Sequence, residues 1–179
     1  MKPLPTSLTD LALIKPNPLQ HAPITLSWFM SNNGKETLLL MGNAEHEIET
    51  PTLENEIQIL EEFVELEVNN AQITWMIEFD KRVIGVAWIE LTENHNVLPP
   101  SVHLMIGDKK YRGRGIGKTV MQSLIRYIKD YTDARVIYSR HLKSNVVVAN
   151  MNHSLGFIND KAAYVDKNEL EWQNIKLPI

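Results

Sequence analysis

The stretch SVHLMIGDKKYRGRGIGKTVMQSLIRYI, residues 101–128, joins a strand pattern, a glycine-rich loop and a helix pattern. Residues 101–106 read as a short apolar strand, and a helix follows whose apolar face is marked by Ile116, Val120, Met121, Leu124 and Ile128. The loop between them places several peptide N–H groups at a helix N-terminus, where the helix offers them no acceptor. Such a concavity binds phosphate through N–H donors and the positive end of the helix dipole.

The side chains of this loop suit an anion. Gly113, Gly115 and Gly117 tolerate positive φ and allow an anion to approach the backbone closely. The cationic side chains that add charge-assisted contacts to phosphate oxygens are Arg112, Arg114 and Lys118. The dinucleotide fingerprint G-x-G-x-x-G is not met, because a glycine stands at 117 and Lys at 118. The P-loop is not met either, because position 112 carries Arg where its first glycine belongs.

The loop in its context resembles a known family. Arg112-x-x-Gly115-x-Gly117, after a strand and before a helix, resembles motif A of the GCN5-related N-acetyltransferases. The longer string from Ile106 to Lys118 is similar to the branch with ribosomal-protein N-terminal and aminoglycoside 6′-acetyltransferases. Asn145 and, after a helix, residues 155–157 (LGF) resemble motif B, and residues 83–87 resemble the third strand of the family. The resemblance covers residues 73–160 well and the N-terminal part loosely.

The resemblance implies an α/β (α+β) fold with a mostly antiparallel twisted sheet, flanked by helices and splayed at the fourth strand. A bulge near residues 105–107 is expected to produce the splay, and acetyl-CoA is the implied cosubstrate in the V-shaped opening. Pantetheine contacts are implied for Leu104, Met105 and Ile106, and a contact to the CoA arm for Asn145. The pyrophosphate is expected at Arg112, Gly113, Arg114, Gly115, Ile116, Gly117 and Lys118. The chain is therefore expected to be an acyl-CoA-dependent N-acetyltransferase.

The transfer needs a general base, because a lysine-type amine has a pKa of about 10 and reacts only when neutral. The candidates are Glu90 late in the third strand, His103 in the fourth and Asp108 at the loop entrance. A histidine in a strand or a solvent-facing glutamate can also be merely structural, so these three remain open. The donor to the oxyanion is expected at a backbone N–H of Met105 or Ile106.

This chain differs from the family at the position of the acid that protonates the leaving thiolate. Many members carry Tyr four residues before the motif B glycine, and Asn152 stands there in this chain. An asparagine amide can hydrogen-bond a thiolate but supplies no labile proton. The neighbouring His153 points about 100° away on a helix. The acid therefore stays unassigned, with water or Tyr164 as alternatives.

In the N-terminal half the patterns predict a strand over residues 8–15 and a helix over residues 19–31, closed by a turn at 32–34. A clearer helix begins at Thr50-Pro51, with Thr50 as its cap, and ends at Asn69-Asn70. Its predicted buried stripe consists of Leu53, Ile57, Leu60 and Val64.

In the C-terminal half a hairpin is predicted from residues 73–79 and 83–91 around the turn at 80–82, followed by a polar loop over 92–100. A further strand is predicted over residues 136–141. The three valines at 146–148 favour a strand locally, but Asn145 is a good cap, so a helix ending at Gly156 is predicted. Strands that begin at 157–158 and 164–165 continue to Trp172 and Leu177.

Composition bounds the function. The chain has 179 residues and is expected to form one domain over 1–179. It has no cysteine, which excludes disulfides, thiolate metal sites and cysteine nucleophiles, and no metal is expected. Residues 1–6 lack a signal-peptide pattern and no stretch is long and apolar enough for a membrane span, so a cytoplasmic location without membrane contact is expected.

Charge points to the partner. The net charge of −4 disfavours nucleic acid. Acidic residues crowd positions 45–67 and basic residues gather over 109–143, which suits a cationic acceptor and an anionic donor. The predicted acceptor is a primary amine of a small cation such as an aminoglycoside or polyamine. The alternatives are a peptide amine at a protein N-terminus and a CoA-binding regulatory domain without catalysis, and a homodimer is compatible with each.

Overall fold

A computed structural model describes residues 6–30, 32–94 and 97–179, and within these ranges helices flank both faces of one sheet. The helices are α1 (Pro18–Phe29), α2 (Asn32–Leu40), α3 (Leu53–Val68), α4 (Ile116–Tyr131) and α5 (Val146–Ser154). The strands are β1 (Leu11–Ile14), β2 (Gln72–Phe79), β3 (Arg82–Glu90), β4 (Ser101–Ile106), β5 (Val136–Leu142), β6 (Ile158–Asn159), β7 (Tyr164–Val165) and β8 (Glu171–Pro178).

The strands form one eight-stranded sheet in the order β1-β2-β3-β4-β5-β8-β6, with β7 also paired to β8. Every pairing is antiparallel except that of β4 with β5. These two parallel strands share a single Cα pair, Ser101 with Tyr138. The sheet therefore opens between β4 and β5, which confirms the predicted fold class and the splay at the fourth strand.

An extra residue lies at the end of β4. The β3–β4 register runs without a shift from Glu90–Ser101 to Gly85–Ile106, and its continuation would place Gly107 opposite Ile84. Instead, the Asp108 N–H donates to the Ile84 carbonyl at 3.1 Å, one residue out of register. This irregularity has the character of a bulge at Gly107, at the edge of the predicted 105–107 segment. It directs the chain out of the sheet and into the glycine-rich loop.

Each face of the sheet has its own hydrophobic core. The face toward α4 packs its residues against the apolar stripe predicted for that helix, and Val120, Leu124 and Ile128 are fully buried there. The opposite face packs Met76, Val86 and Met105 against α1 and α3 through Ala22, Trp28 and Leu60. Because side chains alternate along a strand, neighbouring residues of β4 belong to different cores.

Several elements follow their sequence patterns closely. The β2–β3 hairpin turns at Asp80 and Lys81, whose φ values of 50° and 59° are those of a type I′ turn. The three valines do lie in α5, because the Asn145 side chain accepts from the Val148 N–H at 3.3 Å. Gly156, with a φ of 93°, follows the end of this helix.

The start predicted for α3 is wrong, as are two of the four residues of its predicted buried stripe. The cap is Thr52, which accepts from the Asn55 N–H at 3.2 Å, so Thr50 and Pro51 precede the helix. Leu53 and Val64 are 45% and 41% exposed, while Glu56 and Leu60 are buried. The stripe is rotated because a glutamate occupies a buried position, which a search for apolar residues cannot detect.

The predicted turn at 32–34 is also wrong, because these residues form the first turn of α2. A Cβ on Gly34 would lie 2.0 Å from the Phe29 carbonyl oxygen, so glycine is required for close packing of the chain rather than for a turn.

The strand predicted over 8–15 is shorter, and α1 begins one residue earlier than predicted and ends at Phe29. The strands expected from 157 and 164 are two-residue segments separate from β8. Residues 1–5, 31 and 95–96 of the predicted segments lie outside the described residues.

Candidate functional site

The glycine-rich loop forms an open concavity at the start of α4. Gly113 and Gly115 have φ values of 73° and 78°, and a Cβ built on either would meet no atom within 4 Å. Gly115 is the N-cap residue of α4, and the first bond into the helix runs from the Thr119 N–H to the Gly115 carbonyl at 3.1 Å. The amides of residues 116–118 therefore have no acceptor within the helix. The loop has the geometry of an anion site.

Gly117 lies where three elements converge. A Cβ on this residue would lie 3.6 Å from both Leu104 Cδ1 of β4 and Met151 Sδ of α5, which is ordinary contact. Gly117 has a negative φ inside α4, so its role differs from that of Gly113 and Gly115. The absence of a side chain at this position keeps the concavity open toward β4 and α5.

The cations of the loop have different surroundings. Arg112 turns inward, and its Nε donates to the Ile106 carbonyl at 2.8 Å while its Nη2 donates to Thr37 Oγ1 at 2.9 Å. It thereby ties the loop to β4 and α2. Arg114 is exposed and lies over the Tyr111 ring at 5.2 Å, and Lys118 is exposed as well. Arg114 and Lys118 are the cations that an anion from solvent would meet first.

The backbone of β4 lines the gap toward β5 with alternate residues. The Tyr138 N–H donates to the Pro100 carbonyl at 2.9 Å, and the Ser139 hydroxyl donates to the Val102 carbonyl at 2.7 Å. Because peptide groups alternate in direction along a strand, those of Leu104 and Ile106 also face the gap. Those of Met105 face β3. Among the predicted pantetheine contacts, Leu104 and Ile106 thus offer peptide groups, whereas Met105 lines a cavity on the other face.

His141 lies on the β5 side of the gap, two residues after Ser139 and on the same face of the strand. Its Nδ1 is buried with no hydrogen-bond partner among the described residues. The sequence patterns did not single out this residue. Burial lowers the pKa of His141, which favours the neutral imidazole. The alternation of side chains along the predicted strand 136–141 places His141 on the same face as Ser139, and this is the sequence signal that could have indicated it.

The two motif B asparagines occupy distinct positions. Asn152, at the position of the family's acid, is 2% exposed, and its Oδ1 has no partner in the described part of the chain. Asn145 is committed to the protein, because its Oδ1 caps α5 and its Nδ2 donates to the Leu40 carbonyl at 3.4 Å. The contact between Asn145 and the CoA arm that the family resemblance implies remains a prediction.

Two of the three candidate bases are brought together by the β3–β4 register. Glu90 pairs with Ser101, and Trp88 pairs with His103, so these side chains share one face of the sheet. The Ser101 hydroxyl donates to Glu90 Oε2 at 2.9 Å and lies 2.9 Å from His103 Nε2. The His103 ring stacks on the Trp88 indole at 5.3 Å. Ser101 was not singled out from the sequence, because its role depends on this cross-strand pairing.

This network sets the chemistry of each member. Burial opposes ionisation of Glu90, but hydrogen bonds and charge from His103, with hydrogen bonds from Ser101 and Asn94, lower the pKa of Glu90 to about 2. The Ser101 hydroxyl that donates to Glu90 lies within hydrogen-bond distance of His103 Nε2, so Nδ1 is the ring nitrogen outside this network. Glu90 is ionised at neutral pH, which leaves His103 as the candidate base of the pair.

Asp108 lies apart from this pair. Its carboxylate accepts from the Lys110 N–H at 3.0 Å and caps the short 3₁₀ helix at residues 109–111. The structure does not bring it to Glu90 and His103, and its contact explains it as a turn residue.

Two cavities open on the α1 and α3 side of the sheet. One of about 380 Å³ lies between α1, α3, β3 and β4, with Trp28, Trp88 and Met105 among its lining residues. A second, of about 550 Å³, is polar and includes Arg140, which stacks on Trp172 at 4.0 Å. The two cavities share Met41, Asn43 and Glu47.

Two further searches of the described residues were negative. No group of three or more His, Cys, Asp or Glu side chains is arranged to hold a metal ion in the part of the chain that the structure describes. No helix within the same residues is long and apolar enough to cross a bilayer.

Comparison with known proteins identifies a family that matches this chain and solved structures with a similar fold. A model of the acetyltransferase (GNAT) family matches residues 40–157. The fold is similar to that of RimL, the ribosomal L7/L12 alpha-N-protein acetyltransferase in complex with coenzyme A, with a TM-score of 0.80 and 16% identity over 99% of this chain and 98% of that chain. No significant match is found among curated protein sequences.

Two other solved structures share the fold. The spermidine N-acetyltransferase from Vibrio cholerae, in complex with CoA and spermine, has a TM-score of 0.72 and 13% identity over 96% of each chain. The aminoglycoside acetyltransferase AAC(6')-Ib, in complex with coenzyme A, has a TM-score of 0.68 and 13% identity over 94% of this chain and 93% of that chain. The predicted resemblance is confirmed, and the similar structures include both kinds of enzyme in the predicted branch.

Proposed function

We propose, from the premise that this chain belongs to the acetyltransferase (GNAT) family, that it moves an acetyl group from acetyl-CoA to a primary amine of a small cationic acceptor such as an aminoglycoside or polyamine. The observation that supports acetyl-CoA as the donor is the open concavity at Gly113 and Gly115, where the amides at the start of α4 have no acceptor within the helix. The assignment of the acceptor is supported by the cavity of about 380 Å³ on the α1 and α3 side of the sheet, which Glu47, Glu49 and Glu56 line.

The residues around the gap fit acetyl-CoA. The loop offers peptide N–H groups and the exposed cations Arg114 and Lys118 to a pyrophosphate. Leu104 offers its peptide N–H and carbonyl to an extended arm between β4 and β5, and Ile106 offers its N–H, because the Ile106 carbonyl already accepts from Arg112 Nε. The buried Nδ1 of His141 and Oδ1 of Asn152 are polar atoms that lack a partner among the described residues. When bound, acetyl-CoA supplies an acetyl group activated as a thioester.

His103 is the base that the geometry favours. Glu90 has a pKa of about 2, so it accepts a proton poorly at neutral pH, and the Asp108 carboxylate is used in a turn. His103 presents Nδ1 while Ser101 and Glu90 hold Nε2. We assign His103 the proton of the acceptor amine, and we assign Glu90 and Ser101 the positioning of its ring.

The remaining roles are stabilisation of the oxyanion and protonation of the leaving thiolate, and both concern the gap between β4 and β5. Of the two predicted oxyanion donors, we retain the Ile106 N–H, which faces β5 by alternation along β4, and we replace the Met105 N–H, which faces β3, by that of Leu104. The Asn152 amide supplies a hydrogen bond but no labile proton, so we assign the proton of the leaving group to water.

Two alternatives follow from particular observations. RimL acts on a protein, and its fold covers nearly the whole of this chain, so a protein N-terminus is the second candidate acceptor. Asn152 at the position of the family's acid keeps open a CoA-binding domain without catalysis.

A thiol-release assay with acetyl-CoA and an amine panel separates these functions. The panel should contain a polyamine, an aminoglycoside and a short peptide with a free N-terminus. Release that depends on the polyamine or aminoglycoside supports the proposal, while release with the peptide alone supports the protein acceptor. Binding of acetyl-CoA without release for any amine would contradict the enzymatic function.

A further inference from the structure

The cavity between α1, α3 and the sheet has an aromatic lining. Its volume is about 380 Å³, and the rings on its walls belong to Trp28, Phe29, Phe63 and Trp88. Trp88 belongs to β3 and also stacks on His103, so the sheet wall of this cavity adjoins the favoured base. Met105, on the same wall, is the neighbour of Leu104 and Ile106. The cavity therefore leads from the α3 side to the face of the sheet where the amine must react.

Glu56 stands on the opposite wall, on α3. It lines the cavity and is 6% exposed, at a position in the buried stripe of the helix that would ordinarily hold an apolar residue. Burial raises the pKa of Glu56, and a hydrogen bond with Thr25 opposes the rise. The Thr25 hydroxyl also donates to the Ala22 carbonyl at 3.1 Å, so its compensation is partial. A buried carboxyl with so little compensation is costly unless a partner satisfies it.

The charge of the cavity indicates the partner. Glu47 and Glu49 line it together with Glu56, and none of the lining residues, all of which are described, is basic. Lys167 lies 3.7 Å from Glu47, whereas Glu49 and Glu56 form no ion pair with another described residue. These two carboxylates and the rings form an environment that attracts an ammonium group through its charge and through the faces of the rings. An ammonium beside Glu56 would also restore the ionised carboxylate that burial disfavours.

We propose that Glu56 is a specificity-determining residue that binds a second ammonium group of the acceptor while the reacting amine lies at the sheet wall beside Trp88 and His103. The inference rests on the proposed function, since it assumes that this cavity receives the acceptor. It narrows the acceptor to amines with two or more cationic groups on an apolar body, such as diamines and polyamines, in preference to monoamines.

The test compares Glu56→Gln with the wild type, using α,ω-diaminoalkanes and the n-alkylamines of equal chain length. Glu62→Gln is the matched control, because Glu62 is an exposed residue of the same helix. In Glu56→Gln we expect kcat/KM for the diamines to fall about tenfold or more, mainly through KM, because a buried charge partner is lost. Monoamines should change less than about twofold, and Glu62→Gln should behave as the wild type.

Equilibrium binding keeps the test decisive if turnover is absent. Calorimetric titration of CoA-saturated protein with 1,4-diaminobutane should give a dissociation constant at least about tenfold weaker for Glu56→Gln than for the wild type. Glu56→Gln should fold as well as the wild type, because a neutral amide replaces a carboxyl that burial disfavours. An unchanged preference for diamines over monoamines, or an equal loss for both series, would overturn the role of Glu56. Absence of turnover with every amine would instead contradict the proposed function, and the titration would still decide on Glu56.

Discussion

His103 shows how one residue acquires a role from its neighbours. The sequence indicated Glu90 and His103 separately, and each had a structural alternative. Cross-strand pairing places Ser101 between them, within hydrogen-bond distance of both. No local pattern could supply this relation, because it depends on the register between β3 and β4, which are separated by a ten-residue connection. For the same reason Ser101 and Glu56 could not be recognised as functional before their surroundings were known.

The role of His103 predicts a specific kinetic defect. His103→Gln should lower kcat by about 10²- to 10⁴-fold, the usual contribution of a general base, with little change in the dissociation constant of acetyl-CoA. Because a hydrogen bond and charge from His103 help to lower the pKa of Glu90 to about 2, while burial raises it, the same change should also raise the pKa of Glu90, which NMR titration measures.

The matched control for this change is His153→Gln, since His153 is exposed on α5. It should leave both kcat and the pKa of Glu90 unchanged. Retention of wild-type kcat by His103→Gln would exclude His103 as the base.

At the scale of elements, local patterns sufficed where a single periodicity dominates. The strand β4, the loop and α4 were predicted to within a residue, because the apolar stripe of α4 is uninterrupted and faces one core. The patterns failed at α2 and at the start of α3. Asn and Gly at 32–34 signal a turn, but tight packing on Phe29 holds them in a helix. At α3, Thr50 was predicted as the cap, but Thr52, two residues later, makes the capping bond to the Asn55 N–H.

The loop and α4 act as one element, and a single glycine tests this. Gly117→Val should weaken acetyl-CoA binding about a hundredfold, roughly the loss of one or two charge-assisted hydrogen bonds as the side chain fills the concavity. The fold should persist, because the new Cβ meets Leu104 and Met151 at an ordinary 3.6 Å. Gly115→Val should also weaken binding, but its φ of 78° adds backbone strain, so Gly117 gives the clearer result.

Gln122→Val is the control for this change, because it adds the same β-branched residue at an exposed position of α4, outside the loop. Calorimetry measures the affinity, and circular dichroism checks the fold of each variant. Unaltered acetyl-CoA affinity in a folded Gly117→Val protein would move the donor site away from this loop.

At the scale of the whole molecule, the sheet consists of two parts that meet weakly. Strands β1–β4 and β5–β8 are joined in the sheet by one Cα pair, Ser101 with Tyr138, supplemented by the Ser139 bond to Val102. The family pattern indicated this opening, but the cavity that we propose for the acceptor was not predictable. Its walls come from α1, α2, α3, β2, β3, β4 and the segment 41–51, and these side chains converge only when the helices pack on the sheet.

A ligand that lies between the two parts should stabilise the whole fold. Free acetyl-CoA at a hundred times its dissociation constant adds about 2.7 kcal/mol to the free energy of unfolding. For a chain of this size that corresponds to a rise in the melting temperature of roughly 5–10 °C, which scanning calorimetry measures directly. ATP at the same concentration carries phosphates but no pantetheine arm to occupy the gap between β4 and β5, so it should raise the melting temperature by much less. An equal or larger rise with ATP would favour a nucleotide site at Gly117-Lys118-Thr119 and contradict a cosubstrate that binds along the splayed strands. The same measurement on Gly117→Val should show the acetyl-CoA effect reduced, because the ligand binds there with lower affinity.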